Sequence, residues 1–390
     1  MHSALAVLAA AATAAAVTKL EEGGPSERVV GPDYTVDPDT QDQGKPKGRR
    51  FQFTMPLKGS HSIFNGSDPC LDPKKPAAFK RDVWVNIPAA YQDGTEAPLL
   101  VMQDGPGQID WVDHAQSNLI SSPSPSRRLP VFVTIAVANG GGSERSLEYN
   151  TLSDRYARFI QDEVLPAVLN RPDIRAVYPN LKFTTDPSGR AAIGCSAGGI
   201  ASFTMAFFRP DLFTRVAAYS PAAVDLQVPK QPEKIAYPMG AREYWDGMRL
   251  IETQKRKPLR VFVNDNEFDL GWGGSCPAWV DNEVGNTTAE YFLGCWSTWD
   301  CDPPGSCADG MHGFALGGNQ TARALRAAGY AYQHVYGLNQ WHCGNMWDPY
   351  GPKPTEHDPS IWTETLADTL VWIWEGYAPG VETIQFEPLL

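Results

Sequence analysis

The sequence lacks two features that would place it in whole classes of protein. Outside the extreme N-terminus, no run of about 18 uncharged apolar residues occurs in the 390 residues, which excludes a protein with several membrane spans. Basic residues are in deficit, with 33 Lys and Arg against 45 Asp and Glu and a net charge of −12, so no nucleic-acid-binding surface is expected. No internal repeat is found. With 42% hydrophobic residues, the composition is typical of a soluble enzyme or binding protein.

The first residues of the chain resemble a secretory leader. Small apolar residues, mostly Ala, occupy positions 4–17 and lead to a sequence that fits a signal-peptidase site, although no Lys or Arg precedes them. A frayed Ala-rich helix is the alternative. Seven cysteines favour disulfides and an oxidising compartment, and the sequons at Asn65, Asn286 and Asn319 would be glycosylated in a eukaryotic secretory pathway. We therefore predict a signal peptide over residues 1–16 and a secreted protein, extracellular or periplasmic.

Apolar runs rich in β-branched residues alternate with helical patterns after residue 50. The predicted strands cover residues 83–87, 99–102, 131–135, 191–193, 216–219, 259–263 and 333–336. The predicted helices cover residues 153–170, 198–209, 243–256, 321–328 and 361–375. This alternation predicts an α/β fold with a mostly parallel sheet covered by helices on both faces. Residues 17–50 are polar and rich in Pro and Gly, and we expect a polar arm or linker there, followed by a catalytic domain over residues 51–390.

One segment has the pattern of a nucleophile elbow. Ser196 is the central residue of the only G-x-S-x-G in the chain, and it lies between a predicted strand and a predicted helix. Gly194 and Gly198 fit the strained turn that such a serine requires, because larger residues there would clash with it. The N–H of Ala197, at the start of the helix, would face an oxyanion. The alternative is an ordinary serine in a Gly-rich turn.

In this fold the nucleophile comes first in the chain, followed by the acid and then by the histidine that acts as the base. His342 lies just past the last predicted strand, where the general base belongs, whereas His334 lies within that strand. Three carboxylates follow the preceding predicted strand: Asp265, Glu267 and Asp269. One of them would accept the second imidazole N–H and stabilise the imidazolium. Loop position alone does not choose among the three.

Five blocks of the sequence, in their order along the chain, resemble the putative esterase family of α/β-hydrolases. This family includes enterochelin esterases and feruloyl esterases. The blocks cover residues 98–105, 139–166, 208–220, 261–270 and 329–342, within a resemblance that runs from about residue 83 to the C-terminus. The resemblance implies an α/β-hydrolase fold. It also implies a triad of Ser196, Asp269 and His342. Glu267 and Asp265 are the less favoured candidates for the acid.

The chain departs from the family at the expected oxyanion hole. The second donor of the family would be the residue after Asp-Gly, and here that residue is Pro106, which has no N–H. Gly105 or Gly107 would then supply the donor beside Ala197, or the hole is built differently.

A second departure is an insert over residues 271–317, where shorter family members proceed almost directly to the next helix. Four tryptophans lie in the insert and one beside the predicted base: Trp272, Trp279, Trp296, Trp299 and Trp341. Four cysteines accompany them: Cys276, Cys295, Cys301 and Cys307. A loop this long is a lid, a binding loop or disorder, and its tryptophans argue against disorder. We favour a lid that supplies a substrate wall over a disulfide-stapled miniature core.

Cysteines flank the predicted nucleophile and base. Cys195 precedes Ser196 and Cys343 follows His342, an arrangement similar to one in fungal tannases and their feruloyl esterase relatives, in which a disulfide joins the two segments. This local analogy implies a Cys195–Cys343 disulfide. The alternative is a buried free Cys195 with another partner for Cys343. Seven cysteines leave at least one unpaired in a monomer, and Cys70 is the candidate.

The predicted function is a secreted serine ester hydrolase that forms an acyl-enzyme and needs no metal or cofactor. The acidic residues 264–269 do not have the spacing of an EF-hand calcium loop. The tryptophans favour aromatic or catecholate esters, either small molecules or esters linked to polysaccharide. The alternatives are a sugar-ester (acetyl) esterase, an acyltransferase like the mycolyltransferases of the family, and a non-catalytic binding protein.

Overall fold

The part of the chain that the structure describes forms a mixed sheet of nine strands. The computed structural model describes residues 26–56, 62–64, 80–140, 142–226, 236–270, 313–346 and 354–378. The predicted signal peptide and nearly all of the insert lie outside these ranges, and so does Cys70. The strands are β1 Ser26–Val30, β2 Arg49–Pro56, β3 Lys80–Ile87, β5 Leu99–Gln103, β6 Val133–Val137, β8 Arg190–Cys195, β9 Arg215–Tyr219, β10 Arg260–Phe268 and β11 Ala331–Trp341, while β4 Glu96–Ala97 and β7 Lys182–Phe183 pair separately.

The order of strands across the sheet is β1-β11-β10-β9-β8-β5-β6-β3-β2. Six neighbouring pairs are parallel, and the two antiparallel pairs, β2 with β3 and β3 with β6, lie at one edge. The central strands β5, β6 and β9 are buried at every position, as expected where helices cover both faces of a parallel sheet. Because β5, β6, β8, β9, β10 and β11 run in parallel, the carboxyl ends of β8, β10 and β11 lie on the same side of the sheet.

The helices connect these strands over both faces. They are α1 Ile109–Leu119, α2 Gly142–Asn150, α3 Arg155–Phe159, α4 Leu165–Leu169, α5 Pro172–Arg175, α6 Ala197–Phe208, α7 Leu250–Thr253, α8 Phe314–Ala327 and α9 Ile361–Trp374. Shorter helical turns occur at Pro38–Thr40, Pro125–Arg127, Ile160–Val164, Pro187–Gly189, Gly240–Tyr244 and His342–Asn345. None of the helices in the described ranges combines the length and the apolar character that a membrane span needs.

The apolar core consists of two layers, one on each face of the sheet. On one face, α1 and α9 pack on the sheet, with Trp362 stacked on Tyr219 at a ring-centroid distance of 3.7 Å. On the other face, α6 is buried along almost its whole length, and its Phe203 packs edge-on against Tyr244. Burying α6 fixes the direction of its N-terminus, which faces the edge of the sheet where β8 ends.

The predicted fold class is confirmed: the chain has an α/β-hydrolase fold with a mostly parallel central sheet. Each of the seven predicted strands coincides with or overlaps a strand of the sheet. The helix expected over residues 243–256 is shorter, because Gly247 and Arg249 have φ of 54° and 50°, which a right-handed helix does not allow. The segment expected as an arm contributes β1, which pairs with β11 at the sheet edge.

Candidate active site

Ser196 occupies the sharp turn between β8 and α6. Its φ of 60° and ψ of −131° are rare for a residue other than glycine. The backbone holds this conformation from both sides, since the Ser196 N–H donates to the Tyr219 carbonyl at 3.0 Å and the Ser196 carbonyl accepts from the Ala222 N–H at 3.1 Å. A Cβ on Gly194 would lie 2.5 Å from the backbone of Gly198. The motif therefore supplies the close approach that lets a half-buried Ser196 project at the start of the helix.

His342 and Asp269 form a buried pair past the ends of β11 and β10. The imidazole Nδ1 contacts Asp269 Oδ1 in a short hydrogen bond, and the same oxygen accepts the Leu270 N–H at 2.9 Å. An ionised carboxylate only accepts, so Nδ1 carries the proton. The opposite nitrogen, Nε2, is buried and has no hydrogen-bond partner within the described ranges. It is therefore the nitrogen that can take a proton from a hydroxyl. Phe314 contacts the imidazole edge-on at 5.0 Å, which limits rotation of the ring.

The other two candidate acids have different partners. Asp265 lies within β10, and its Oδ2 is 2.8 Å from Nε2 of His334 in a second buried pair. Burial raises the pKa of Asp265 to about 6, with the charge of Asp269 adding to the shift and His334 opposing it. Glu267 accepts the backbone N–H of Asn339 at 2.8 Å in an exposed position. Of the three carboxylates, the structure brings only Asp269 to His342.

A disulfide joins Cys195 to Cys343, with the two Cα atoms 5.9 Å apart. It connects the residue before Ser196 to the residue after His342, across 148 positions of the sequence. A ring nitrogen of His342 lies within 4.8 Å of both sulfur atoms, so the imidazole is next to the turn that holds Ser196. This cluster does not provide a metal site, because sulfurs bonded to each other do not offer thiolates.

The turn after β5 lies beside the start of α6, where a second oxyanion donor is expected. The N–H of Gly105 donates to the Val137 carbonyl at 2.9 Å and is thus already engaged. Pro106 follows through a cis peptide bond. Gly107 is exposed with a φ of 50°, and its N–H donates to no group within the described ranges. Of the two glycines expected from the sequence, Gly107 is the one whose N–H can turn to a ligand.

Charged and polar groups hold this turn in place. Asp104, at a φ of 55°, accepts from Arg145 through Nε and Nη2, each at 2.9 Å, and from Asn139 Nδ2 at 2.6 Å. The Asp104 N–H donates to the Tyr149 hydroxyl at 3.1 Å. Burial raises the pKa of Tyr149 well above its usual value, so the phenol stays neutral. The carboxylate also lies close to α6, since a Cβ on Gly198 would be 2.9 Å from its Oδ2.

A second ion pair beneath the turn is fully buried. Arg81 of β3 donates through Nε to Glu148 Oε1 at 2.9 Å, and Glu148 Oε2 accepts the Gly140 N–H at 3.1 Å. Glu144 lies 3.7 Å from the same guanidinium. Burial raises the pKa of Glu148 to about 7. The positive charge of Arg81 opposes this shift, and the negative charge of Glu144 adds to it. Residues of the block 139–166, which resembles the family, therefore anchor the loop around the candidate oxyanion hole.

Sequence reasoning missed two buried residues near the base, Ser220 and Asn266. Each contacts a chain neighbour of His342. The signal in the sequence was weak: Ser220 directly follows the predicted strand over residues 216–219, and Asn266 belongs to the polar residues that follow the predicted strand over residues 259–263. Of the expected substrate wall, Trp341 is half-buried and contacts Phe268 at a ring distance of 5.3 Å. The four tryptophans of the insert, Trp272, Trp279, Trp296 and Trp299, lie outside the described residues.

Comparisons with known proteins agree with the family expected from the motifs. A family model described as putative esterase matches residues 77–263, just under half of the chain, and this range includes Ser196 but ends before Asp269 and His342. Over that range the match agrees with the resemblance expected from the motifs, and it supports carboxylic ester hydrolysis. No curated protein matches the sequence.

Solved structures of esterases are similar to this chain at low sequence identity. A ferulic acid esterase is 16% identical with a TM-score of 0.48, over 84% of this chain and 98% of its own. The enterobactin esterase of Shigella flexneri is 13% identical with a TM-score of 0.45, over 85% of this chain and 62% of its own length. A ferulic acid esterase of the anaerobic fungus Anaeromyces mucronatus is 12% identical with a TM-score of 0.46, over 88% of this chain and 98% of its own.

Proposed function

Taking the match of residues 77–263 to the putative esterase family as the premise, we propose that this protein is a serine carboxyl-ester hydrolase. Ser196 is the nucleophile, His342 the general base and Asp269 the acid that orients the base. The observation that carries the proposal is the orientation of His342, with Nδ1 on the Asp269 carboxylate and Nε2 buried without a partner in the described ranges beside the nucleophile turn.

Acylation begins when Ser196 Oγ attacks the ester carbonyl carbon and its proton passes to His342 Nε2. The carbonyl oxygen becomes an oxyanion, which accepts hydrogen bonds from the N–H groups of Ala197 and Gly107. Ala197 is the first residue of α6, so the helix dipole also favours the negative charge. Asp269 meanwhile stabilises the imidazolium through Nδ1–H.

The tetrahedral intermediate collapses when His342 returns its proton to the leaving alcohol, which leaves an acyl ester on Ser196. Water then attacks this ester, His342 Nε2 takes a proton from the water, and the same proton returns to Ser196 Oγ as the carboxylic acid leaves. Gly107 is preferred over Gly105 as the second donor, because the Gly105 N–H already donates to Val137.

The substrates that we propose are aromatic or catecholate esters. The support is the aromatic character of the chain beside the base: Trp341 is adjacent to His342 and contacts Phe268, and the insert adds four more tryptophans in sequence. Flat aromatic acyl groups pack well on such side chains. A panel of methyl ferulate, a catechoyl serine ester and an acetylated sugar separates this class from sugar esters. Adding a second alcohol and looking for a new ester separates hydrolysis from acyl transfer.

We also propose that the protein is secreted. The Ala-rich residues 4–17 have the composition of a leader, and the disulfide next to the nucleophile is of a kind that persists in oxidising compartments. Determination of the N-terminus of the mature protein from culture medium tests this. A mature chain that begins near residue 17 is expected, and an intact leader on a protein retained in the cytosol would contradict it.

The test of the function itself is labelling with a fluorophosphonate probe, which reacts with activated serines. The wild-type protein should be labelled, whereas Ser196→Ala and His342→Ala should not, because the first removes the nucleophile and the second the base. Ser202→Ala is the matched control, since the Ser202 hydroxyl is buried in α6 and donates to the Gly198 carbonyl. Labelling of Ser196→Ala at the wild-type rate would exclude Ser196 as the nucleophile.

A further inference from the structure

The two chain neighbours of His342 are each held by a buried side chain. The Trp341 carbonyl accepts from Asn266 Nδ2 at 3.0 Å, and the Cys343 N–H donates to Ser220 Oγ at 3.0 Å. The backbone on both sides of the imidazole therefore has a fixed partner in a different part of the sheet.

Asn266 and Ser220 also bind each other. Asn266 Nδ2 donates to Ser220 Oγ at 3.0 Å, and both residues are fully buried. A side-chain amide nitrogen has two hydrogens, and here one goes to Ser220 and the other to Trp341. The two side chains therefore form a single connected unit. Removal of either side chain leaves a buried backbone or side-chain group without its hydrogen-bond partner.

The same turn also holds the nucleophile. Ser220 has a φ of 40°, unusual for serine, and its N–H donates to the Asn264 carbonyl at 2.7 Å. Its neighbours Tyr219 and Ala222 make the two backbone hydrogen bonds to Ser196. Residues 219–222 are thus bound to the nucleophile turn on one side and to the chain around His342 on the other.

The Cys195–Cys343 disulfide does not replace these contacts. It ties the side chain of Cys343 to the nucleophile segment, whereas the orientation of the peptides on either side of His342 depends on Trp341 and Cys343 backbone groups. Cys343 has a φ of 55°, a strained value for this residue, which the hydrogen bond to Ser220 helps to maintain.

We propose that Asn266 and Ser220 are positioning residues that set the place of His342 relative to Ser196. The inference rests on the proposed function, in which these two residues are base and nucleophile. The pair is uncharged, so it fixes the backbone around His342 without adding a charge beside the Asp269–His342 pair. Neither residue is placed at the reacting atoms. Their removal should therefore slow the chemical step and leave substrate binding unchanged.

The experiment measures kcat and KM on an aryl ester for Asn266→Ala, Ser220→Ala and the double variant. We expect kcat to fall about 30-fold to 100-fold, because displacement of a catalytic group by about 1 Å has effects of this size. KM should stay within about 2-fold of the wild-type value, since an interaction lost only in the transition state lowers kcat alone. The double variant should be about as slow as either single variant, because the two residues act as one unit.

Tyr244→Phe is the control for a loss of stability alone. It removes one buried hydrogen bond, from the Tyr244 hydroxyl to Thr204 Oγ1, in the packing of α6. It should lower Tm by a few degrees and leave kcat unchanged. Activities are divided by the concentration of fluorophosphonate-labelled sites, so that unfolded protein does not count. Ser220→Ala removes a single oxygen, and it keeps the test available if Asn266→Ala does not fold.

The outcomes separate this inference from the function on which it depends. If wild type is labelled but both single variants keep kcat within about 3-fold, or if KM rises as kcat falls, the positioning role is excluded. If hydrolysis persists in Ser196→Ala, the proposed function itself fails and the positioning role fails with it. A fall of kcat in Asn266→Ala and Ser220→Ala, but not in Tyr244→Phe, supports the inference.

Discussion

Two carboxylate–imidazole pairs connect β10 to β11, and they differ in the ring nitrogen that meets the carboxylate. Asp265 contacts His334 through Nε2 in the middle of the strands, whereas Asp269 contacts His342 through Nδ1 beyond their ends. In the first pair the carboxylate occupies the nitrogen that a base would use. In the second pair, Nε2 is left for a proton. Burial is similar in both, so orientation and position at the strand ends, rather than burial, distinguish the candidate catalytic pair.

A bulge in the pairing of β10 with β11 brings Asp269 and His342 together. The register of β10 with β11 shifts between Asn266, opposite Gly337, and Phe268, opposite Trp341. Four positions separate Asp265 from Asp269 (269 − 265 = 4), and eight separate His334 from His342 (342 − 334 = 8). The extra residues on β11 include Asn339, with a φ of 52°. A regular ladder would have placed Gln340 (269 + 71 = 340) rather than His342 opposite Asp269, so the bulge re-aims the imidazole.

The largest expected difference between the pairs is in catalysis. Asp269→Asn should lower kcat about 10⁴-fold, because an amide no longer selects the Nδ1–H tautomer or stabilises the imidazolium. Asp265→Asn, which changes the same group on the same strand, should leave kcat within about 3-fold. Steady-state hydrolysis of an aryl ester measures both. Equal losses in the two variants would mean that the pairs share the catalytic role.

The second difference is in stability. His334→Ala should lower the free energy of unfolding by about 3 kcal/mol, because it leaves the Asp265 carboxylate buried without its partner. His334→Gln keeps a donor for that carboxylate and should recover a large part of the loss. Urea unfolding at pH 7 compares the two with wild type. A loss in His334→Gln as large as that in His334→Ala would assign the stabilisation to the packing of the imidazole rather than to its hydrogen bond with Asp265.

The third difference is in the dependence of stability on pH. Because burial raises the pKa of Asp265 from 3.8 to about 6, the folded protein keeps a proton between these values that the unfolded chain releases. The free energy of unfolding should therefore fall as pH rises from 4 to 6, and remain at the lower value above pH 6. Asp265→Asn should remove on the order of 2 kcal/mol of this fall. Urea unfolding of both proteins across the range tests it, and parallel curves would contradict it.

The smallest effect is expected at the third candidate acid. Glu267→Gln keeps an oxygen that accepts the Asn339 N–H, in an exposed position. We expect a change below about 0.5 kcal/mol in the free energy of unfolding and an unchanged kcat. A marked loss of activity would instead assign Glu267 a part in the reaction and weaken the distinction drawn between the Asp–His pairs.

Prediction from the sequence was most successful where the information is local. Central strands such as β5 and β9 are uninterrupted apolar runs, and the elbow around Ser196 has a spacing that a strand–turn–helix junction requires. The helix expected over residues 243–256 was too long, because left-handed residues at Gly247 and Arg249 interrupt it. Such positions leave no periodic signal.

The residues themselves determined an α/β fold, a serine at an elbow and a histidine past the last strand, since each follows from local spacing and hydrophobic pattern. The tertiary structure decided which acid meets His342, which glycine N–H after β5 is already engaged, and which side chains hold the backbone on either side of the imidazole. These contacts join residues on different strands, and their pairing depends on register and on one bulge. Register is a property of the assembled sheet, so no local stretch of sequence carries it.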